Sequence, residues 1–156
     1  MEVKIGISKK DLDSSIKTLT TVLSNEMVLY TKTRNFHWNV AGNSFMEIHL
    51  LFENQYTDLA HIIDEVAERV KKLGGHAMGT MKEFLASTTL KEASKSNNRD
   101  KMISELLSDQ EQVTTELRKA ITKLDEGNDY GTVDFLTGLA LKHESMCWVL
   151  RKYTQN

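Results

Sequence analysis

Apolar residues recur at intervals of three and four along most of this 156-residue chain, the spacing that gathers them on one face of an α-helix. In the first such segment, predicted over 9–39, Ile16, Leu19, Leu23, Met27 and Tyr30 keep the repeat until "AGN" breaks it. Ser44 then stands where an N-cap belongs, and Glu47 three positions on predicts an S-x-x-E capping box. The second helix is predicted over 45–73. Its apolar stripe is Ile48, Phe52, Leu59, Ile62, Ile63, Val66, Val70 and Leu73, and Gly74 with Gly75 stop it. Thr80 and Glu83 predict another capping box, opening a short helix over "MKEFLAS". The polar stretch "TTLKEASKSNN" leads to a third long helix over 99–125. "EGNDYG" is a turn, and the last helix is predicted over 132–153. Long helices paired by short turns, with one longer connection at mid-chain, predict an all-α four-helix bundle with a crossover. The length suits one domain, 1–156, with a substantial core, and is too short for two.

Composition narrows this picture. The chain has no proline and only eight glycines, so little interrupts the helices. Hydrophobic residues make up 40% but form no run of the length a membrane helix needs. "MEVKIGISKK" lacks the apolar segment of a secretory signal. Cys147 is the only cysteine, which excludes an intrachain disulfide and fits a reducing compartment, the cytoplasm. The formal net charge is −2 with no long basic block, which argues against indiscriminate nucleic-acid binding by the folded body.

The candidate chemistry lies in "NFHWNVAGNSFMEIHLLFE". His37 and His49 flank the first turn, and Glu53 follows His49 on the same helix face. On a wheel of about 100° per residue, His49, Glu53 and Asp64 fall on a shoulder of the second helix, roughly 100° to 160° from Ile48, with Glu68 slightly beyond. Ala60 and Ala67 share that shoulder, where small side chains permit close approach of another helix. Carboxylates at helical spacing ordinarily form a solvated face, and a single histidine beside a core stripe ordinarily packs. Two histidines, a His-x3-Glu and an Asp-x3-Glu around one shoulder make a mixed nitrogen and oxygen donor set that suits Fe(II), Mn or Zn.

Distance constrains how these donors meet. Asp64 follows His49 by 15 residues, about 22 Å at the helical rise, whereas metal–ligand bonds are about 2 Å long. One chain cannot bring both to one ion. There is no Glu-x-x-His, the pair expected of a diiron site inside one bundle. The nearest substitute, Asp58-x-x-His61, occurs once, and His61 points away from the shoulder. The remaining solution is a two-fold dimer with antiparallel second helices, its axis near Tyr56 and Thr57. Each histidine end then meets the partner's carboxylate end, giving two equivalent sites.

These residues resemble the Dps family, the mini-ferritins. The likeness runs along nearly the whole chain and is strongest in the stretch quoted above, in "DEVAERVKKLGG" and in "HESMCWVLRKY". The resemblance implies a ferritin-like four-helix bundle with a short extra helix in the central crossover, assembled from two-fold dimers into a hollow dodecamer. It implies a ferroxidase that oxidises Fe(II), preferably with hydrogen peroxide, stores ferric iron and protects against oxidative damage. His37 and His49 of one chain and Asp64 and Glu68 of the other are then the catalytic iron ligands. Glu53, at a place often held by Asp, joins the metal set, and Trp38 sits beside it. Asp129 and Asp134 become candidates for an acidic three-fold pore, although acids are also ordinary at a turn and a helix start. His76 and His143 have no matched partners and are assigned to structure or solvent. DNA binding is expected to be weak or absent, because Lys4, Lys9 and Lys10 are offset by Glu2 and Asp11 and "RKYTQN" is short. Two other readings compete: a Dps-like cage that mainly compacts DNA with little iron chemistry, and a monomeric bundle without metal.

Overall fold

The structure, a computed structural model, describes residues 3–155; Glu2 lies outside them. Its elements are α1 (Lys9–Asn39), α2 (Phe45–Lys72), α3 (Met81–Ser87), α4 (Arg99–Asp125) and α5 (Tyr130–Thr154), with no strand among the described residues. The four long helices form the bundle: α1 packs along α2, α4 along α5, and α1 also meets α4. The crossover carries α3, which packs on α1. The isolated bridge between Ala41 and Asn98 ties the first turn to the end of the crossover.

The stripe expected on α2 forms the core. Ile48, Phe52, Leu59, Ile62, Val66, Val70 and Leu73 are buried, and Ile63 is half-buried. On α1 the buried line is rotated from the expected one. Leu19 and Leu23 are inside, while Ile16, Met27 and Tyr30 lie at the edge. Val22, Leu29 and Phe36 complete the buried face, and Phe36 meets Phe52 at 6.4 Å between ring centroids. The rotation has a physical cause: α1 faces two neighbours, so its buried arc is wider than one stripe. That arc includes Glu26, Lys32 and Thr33, which the apolar repeat does not register.

The helix ends explain why the chain turns where it does. α2 closes in a Schellman motif: Gly74 N–H donates to the Lys71 carbonyl and Gly75 N–H to the Val70 carbonyl. Gly74 sits at φ +86°, where a Cβ would be strained. α3 opens with the expected Thr80–Glu83 capping box. The box expected at Ser44 does not form. Ser44 is in the left-handed region at φ +59° and its side chain makes no cap bond. The five-residue turn reverses the chain so tightly that Ser44 takes a turn conformation, and Glu47 instead accepts a hydrogen bond from the Tyr153 hydroxyl on α5.

Candidate metal centre at the first turn

The end of α1 and the start of α2 hold His37 and His49 face to face, with ring centroids 3.7 Å apart and the rings 21° from parallel. Two reciprocal hydrogen bonds lock them. His37 Nδ1 donates to the His49 carbonyl and His49 Nδ1 donates to the His37 carbonyl, both at 2.8 Å. A carbonyl can only accept, so each Nδ1 carries the hydrogen, and in the neutral form of either ring Nε2 keeps its lone pair. Neither Nε2 has a partner among the described residues. This is the arrangement expected of histidine ligands held in tautomer and direction by a backbone carbonyl. Their enclosure is uneven: His37 is only 8% exposed, and His49 is half-buried.

Aromatic neighbours support the pair. Phe45 lies 5.0 Å from His49, and Tyr56 meets His37 edge-on at 5.2 Å. Tyr56 also meets Tyr30, and the Arg34 guanidinium lies over the rings of Tyr30, Trp38 and Tyr56 at 4.8–5.7 Å. The Tyr30 hydroxyl accepts from Arg34, which holds that guanidinium above its usual range. Trp38 itself is 64% exposed and meets the cluster only through Arg34. Arg34 and Phe45 are not among the candidates drawn from the sequence, and Tyr30 is assigned there only to the apolar repeat. The placement of Arg34 three residues before His37, of Tyr30 four before Arg34 and of Phe45 four before His49 was the signal available.

The carboxylates are placed differently. Glu53 is half-buried, one turn beyond His49, whereas Asp64 and Glu68 are exposed further along the same unbroken helix. Glu68 pairs with Lys72 at 2.9 Å, an exposed i,i+4 contact that a stronger ligand could displace. Among the described residues, no three His, Cys, Asp or Glu side chains gather closely enough to hold a metal ion within one chain. One chain thus presents two oriented imidazoles at one end of a face and two exposed carboxylates, one of them paired with Lys72, at the other.

Asp129 and Asp134 also separate. Asp129 caps α5: its carboxylate accepts from the Thr132 N–H and hydroxyl and from Arg69 at 2.7 Å, and the residue is 2% exposed. Burial alone would raise its carboxyl. The Thr132 hydrogen bonds and the Arg69 charge outweigh burial and hold it below the usual range. The charge of Asp129 is thus engaged by the α5 cap and by Arg69. Asp134, one turn on, is exposed. His143, assigned to structure or solvent, is structural. It is fully buried, with Nε2 2.9 Å from Glu26 Oε1 and Nδ1 donating to Gln110 Oε1.

A bundle of four long helices whose crossover carries a short extra helix defines a ferritin-like protein. The ferritin-like domain family matches residues 16–156. The chain is 36% identical to DNA protection during starvation protein 2 of Bacillus anthracis over 138 residues, covering 88% of this chain and 94% of that protein. It is 38% identical to an uncharacterised low temperature-induced protein of Nostoc, covering 98% of this chain and 87% of that one. Among solved structures, Dps from Bacillus brevis superposes with a TM-score of 0.91 at 32% identity, covering 96% of this chain and 100% of the other. The Vibrio cholerae Dps protein, described as a member of the ferritin-like diiron-carboxylate superfamily, gives 0.94 at 28%, covering 99% and 97%. The chain belongs to the Dps family of ferritin-like proteins.

Proposed function

We propose that the protein is a mini-ferritin that oxidises Fe(II) with hydrogen peroxide at centres shared between two subunits and stores the ferric product in a dodecameric cage. The observation that carries this reading is the locked histidine pair. Both imidazoles are committed through Nδ1 and open through Nε2, while Asp64 and Glu68 lie about 22 and 28 Å from His49 along the same helix. An antiparallel two-fold contact along α2 supplies the missing half. His37, His49 and Glu53 of one subunit then face Asp64 and Glu68 of the other. The carboxylates favour Fe(III) over Fe(II) by charge, and the neutral imidazoles add donors without further charge. Two ferrous ions give one electron each to one peroxide. Its O–O bond breaks and two protons complete two waters, so no hydroxyl radical is released.

Asp134 remains the candidate for an acidic entry path, since its charge is not engaged by the cap that holds Asp129. The names of relatives point to DNA protection. In this reading protection follows from removal of Fe(II) and peroxide, because a chain of net charge −2 has little general attraction for a polyanion. A plasmid gel shift at physiological salt with submicromolar protein would instead favour a DNA-compacting cage. No described helix is long and apolar enough to cross a membrane.

The shared site is tested by complementation. His49→Ala and Asp64→Ala should each abolish most rapid Fe(II) oxidation. In a mixed dimer one site carries both defects and the other is intact, so random co-assembly should restore about a quarter of all sites. No recovery, with mixed dimers confirmed by mass spectrometry, would reject the shared centre.

A further inference from the structure

α1 and α4 run antiparallel, as the contacts of Asn25 with Glu116 and of Lys32 with Asp109 show. Lys17 on α1 therefore stands level with Lys123 on α4, at one end of a groove of about 260 Å³ between the two helices. Lys119 lies on the rim one turn further along. The three lysines are exposed, and none has an ion-pair or hydrogen-bond partner among the described residues. Asp13, one turn before Lys17, is taken by Lys9 at 3.1 Å. The hydroxyls of Thr18 and Thr21 also line the groove and make no hydrogen bond among the described residues, whereas Thr20 and Ser24 on the same helix return theirs to the backbone. At the far end Glu116, the one carboxylate of the lining, accepts from Asn25, Thr89 and Gln112, so it is already matched. Between the two ends the lining is apolar, from Val22, Val113, Leu117 and Ala120.

The dimensions and the charge together select the occupant. From Lys17 to Asn25 the groove is about 12 Å long at the helical rise. Its volume equals that of roughly nine waters at about 30 Å³ each, too little for a helix of another protein and enough for one short chain. Unmatched ammonium groups and free hydroxyls at one end of an apolar trough complement an anion that carries an alkyl tail. A bare inorganic anion leaves the trough unfilled, and an uncharged chain leaves the lysines unmatched. We propose that this groove binds a small anionic amphiphile of the medium-chain carboxylate class, one per chain. The carboxylate lies between Lys17 and Lys123 and accepts from the Thr18 hydroxyl, and the tail runs over Val22, Leu117 and Ala120 toward the Asn25–Glu116 pair. The groove is complete within one chain and does not rest on the ferroxidase reading.

The test is equilibrium dialysis of the full-length assembled protein against octanoate, below its micelle concentration and at low salt. One octanoate should be retained per chain. A fully buried methylene adds roughly fourfold to affinity and a half-covered one roughly twofold, so butanoate, four methylenes shorter, should bind at least roughly tenfold more weakly. Octanol should also bind more weakly, because it leaves the lysines unmatched. An exposed charge contact is worth up to roughly fivefold. Combining Lys17→Gln, Lys119→Gln and Lys123→Gln should therefore weaken octanoate about tenfold. Combining Lys71→Gln, Lys91→Gln and Lys101→Gln changes the net charge equally at exposed positions outside the groove and should leave binding within about twofold. The proposal is overturned if no octanoate is retained. It is overturned equally if butanoate or inorganic phosphate is held as tightly as octanoate, or if the two triple variants lose the same affinity. The comparison of chain lengths uses the native protein, so it stands whether or not a variant folds.

Discussion

Histidines at two places in this bundle are held in opposite ways. At the first turn, each of His37 and His49 gives one nitrogen to a backbone carbonyl and keeps the other open. In the core, His143 has both nitrogens engaged, by Glu26 from α1 and Gln110 from α4. Gln110 is fixed in turn by donating its amide to the Met146 sulfur. The partners decide the role. A carbonyl orients an imidazole and leaves it able to bind something else, while two side-chain partners from two helices turn it into a crosspiece of the fold. Burial alone does not separate the two cases, since His37 is nearly as enclosed as His143.

The comparison is broken most directly at its structural end. His143→Ala leaves the Glu26 carboxyl buried without its one partner, and removing one member of a buried charged or hydrogen-bonded pair costs about 3–5 kcal/mol. Chemical denaturation should show a loss of this size. Glu26→Met combined with His143→Leu should recover part of it, because no buried carboxyl is then left unmatched, while Gln110 Oε1 still lacks the donor that His143 supplied. A His143→Ala variant as stable as the native protein would show that the buried pair is not a crosspiece. His37→Ala, by contrast, should remove oxidation activity with a smaller effect on stability.

Asp129 and Asp134 carry the same contrast on a smaller scale. Asp129→Asn should lower stability by about 1 kcal/mol at neutral pH, through loss of the charged cap and its Arg69 partner. The pH dependence has a defined sign. Asp129 is held below its ordinary range in the folded chain, so its contribution is present above the unfolded carboxyl pKa of about 4 and fades as pH falls through the lower folded value. Asp129→Asn should therefore flatten the acid side of the stability curve, and a curve parallel to the native one would contradict the cap. Asp134→Asn should leave the melt unchanged and slow initial oxidation at low Fe(II) a few-fold, since a removed surface charge lowers local cation concentration. Equal initial rates would take Asp134 out of the entry path. The smallest effect belongs to Lys72→Ala. Its pair with Glu68 is exposed, and the change in stability should stay within about 0.5 kcal/mol by denaturant titration. A larger loss would mean that Glu68 is held in place by Lys72 rather than free to act as a ligand.

Much of this protein was legible in its sequence. The three-and-four repeat, the absence of proline and the turn residues set five helices close to their observed ends, because these are local properties of short segments. The histidine and carboxylate spacing along α2 required a two-chain arrangement for any shared ion, because helical rise is a fixed length. Tertiary structure decided the rest. Ser44 lost its cap to a left-handed turn, and Glu47 was drawn to Tyr153, 106 positions away. Asp129 became a buried cap because Arg69 arrives from α2, and His143 met Glu26 across 117 positions. The open Nε2 atoms of His37 and His49 depend on which carbonyls the turn brings to their rings. Spacing states which side chains share a helix face; only the packed helices supply the partners that commit or free each polar atom.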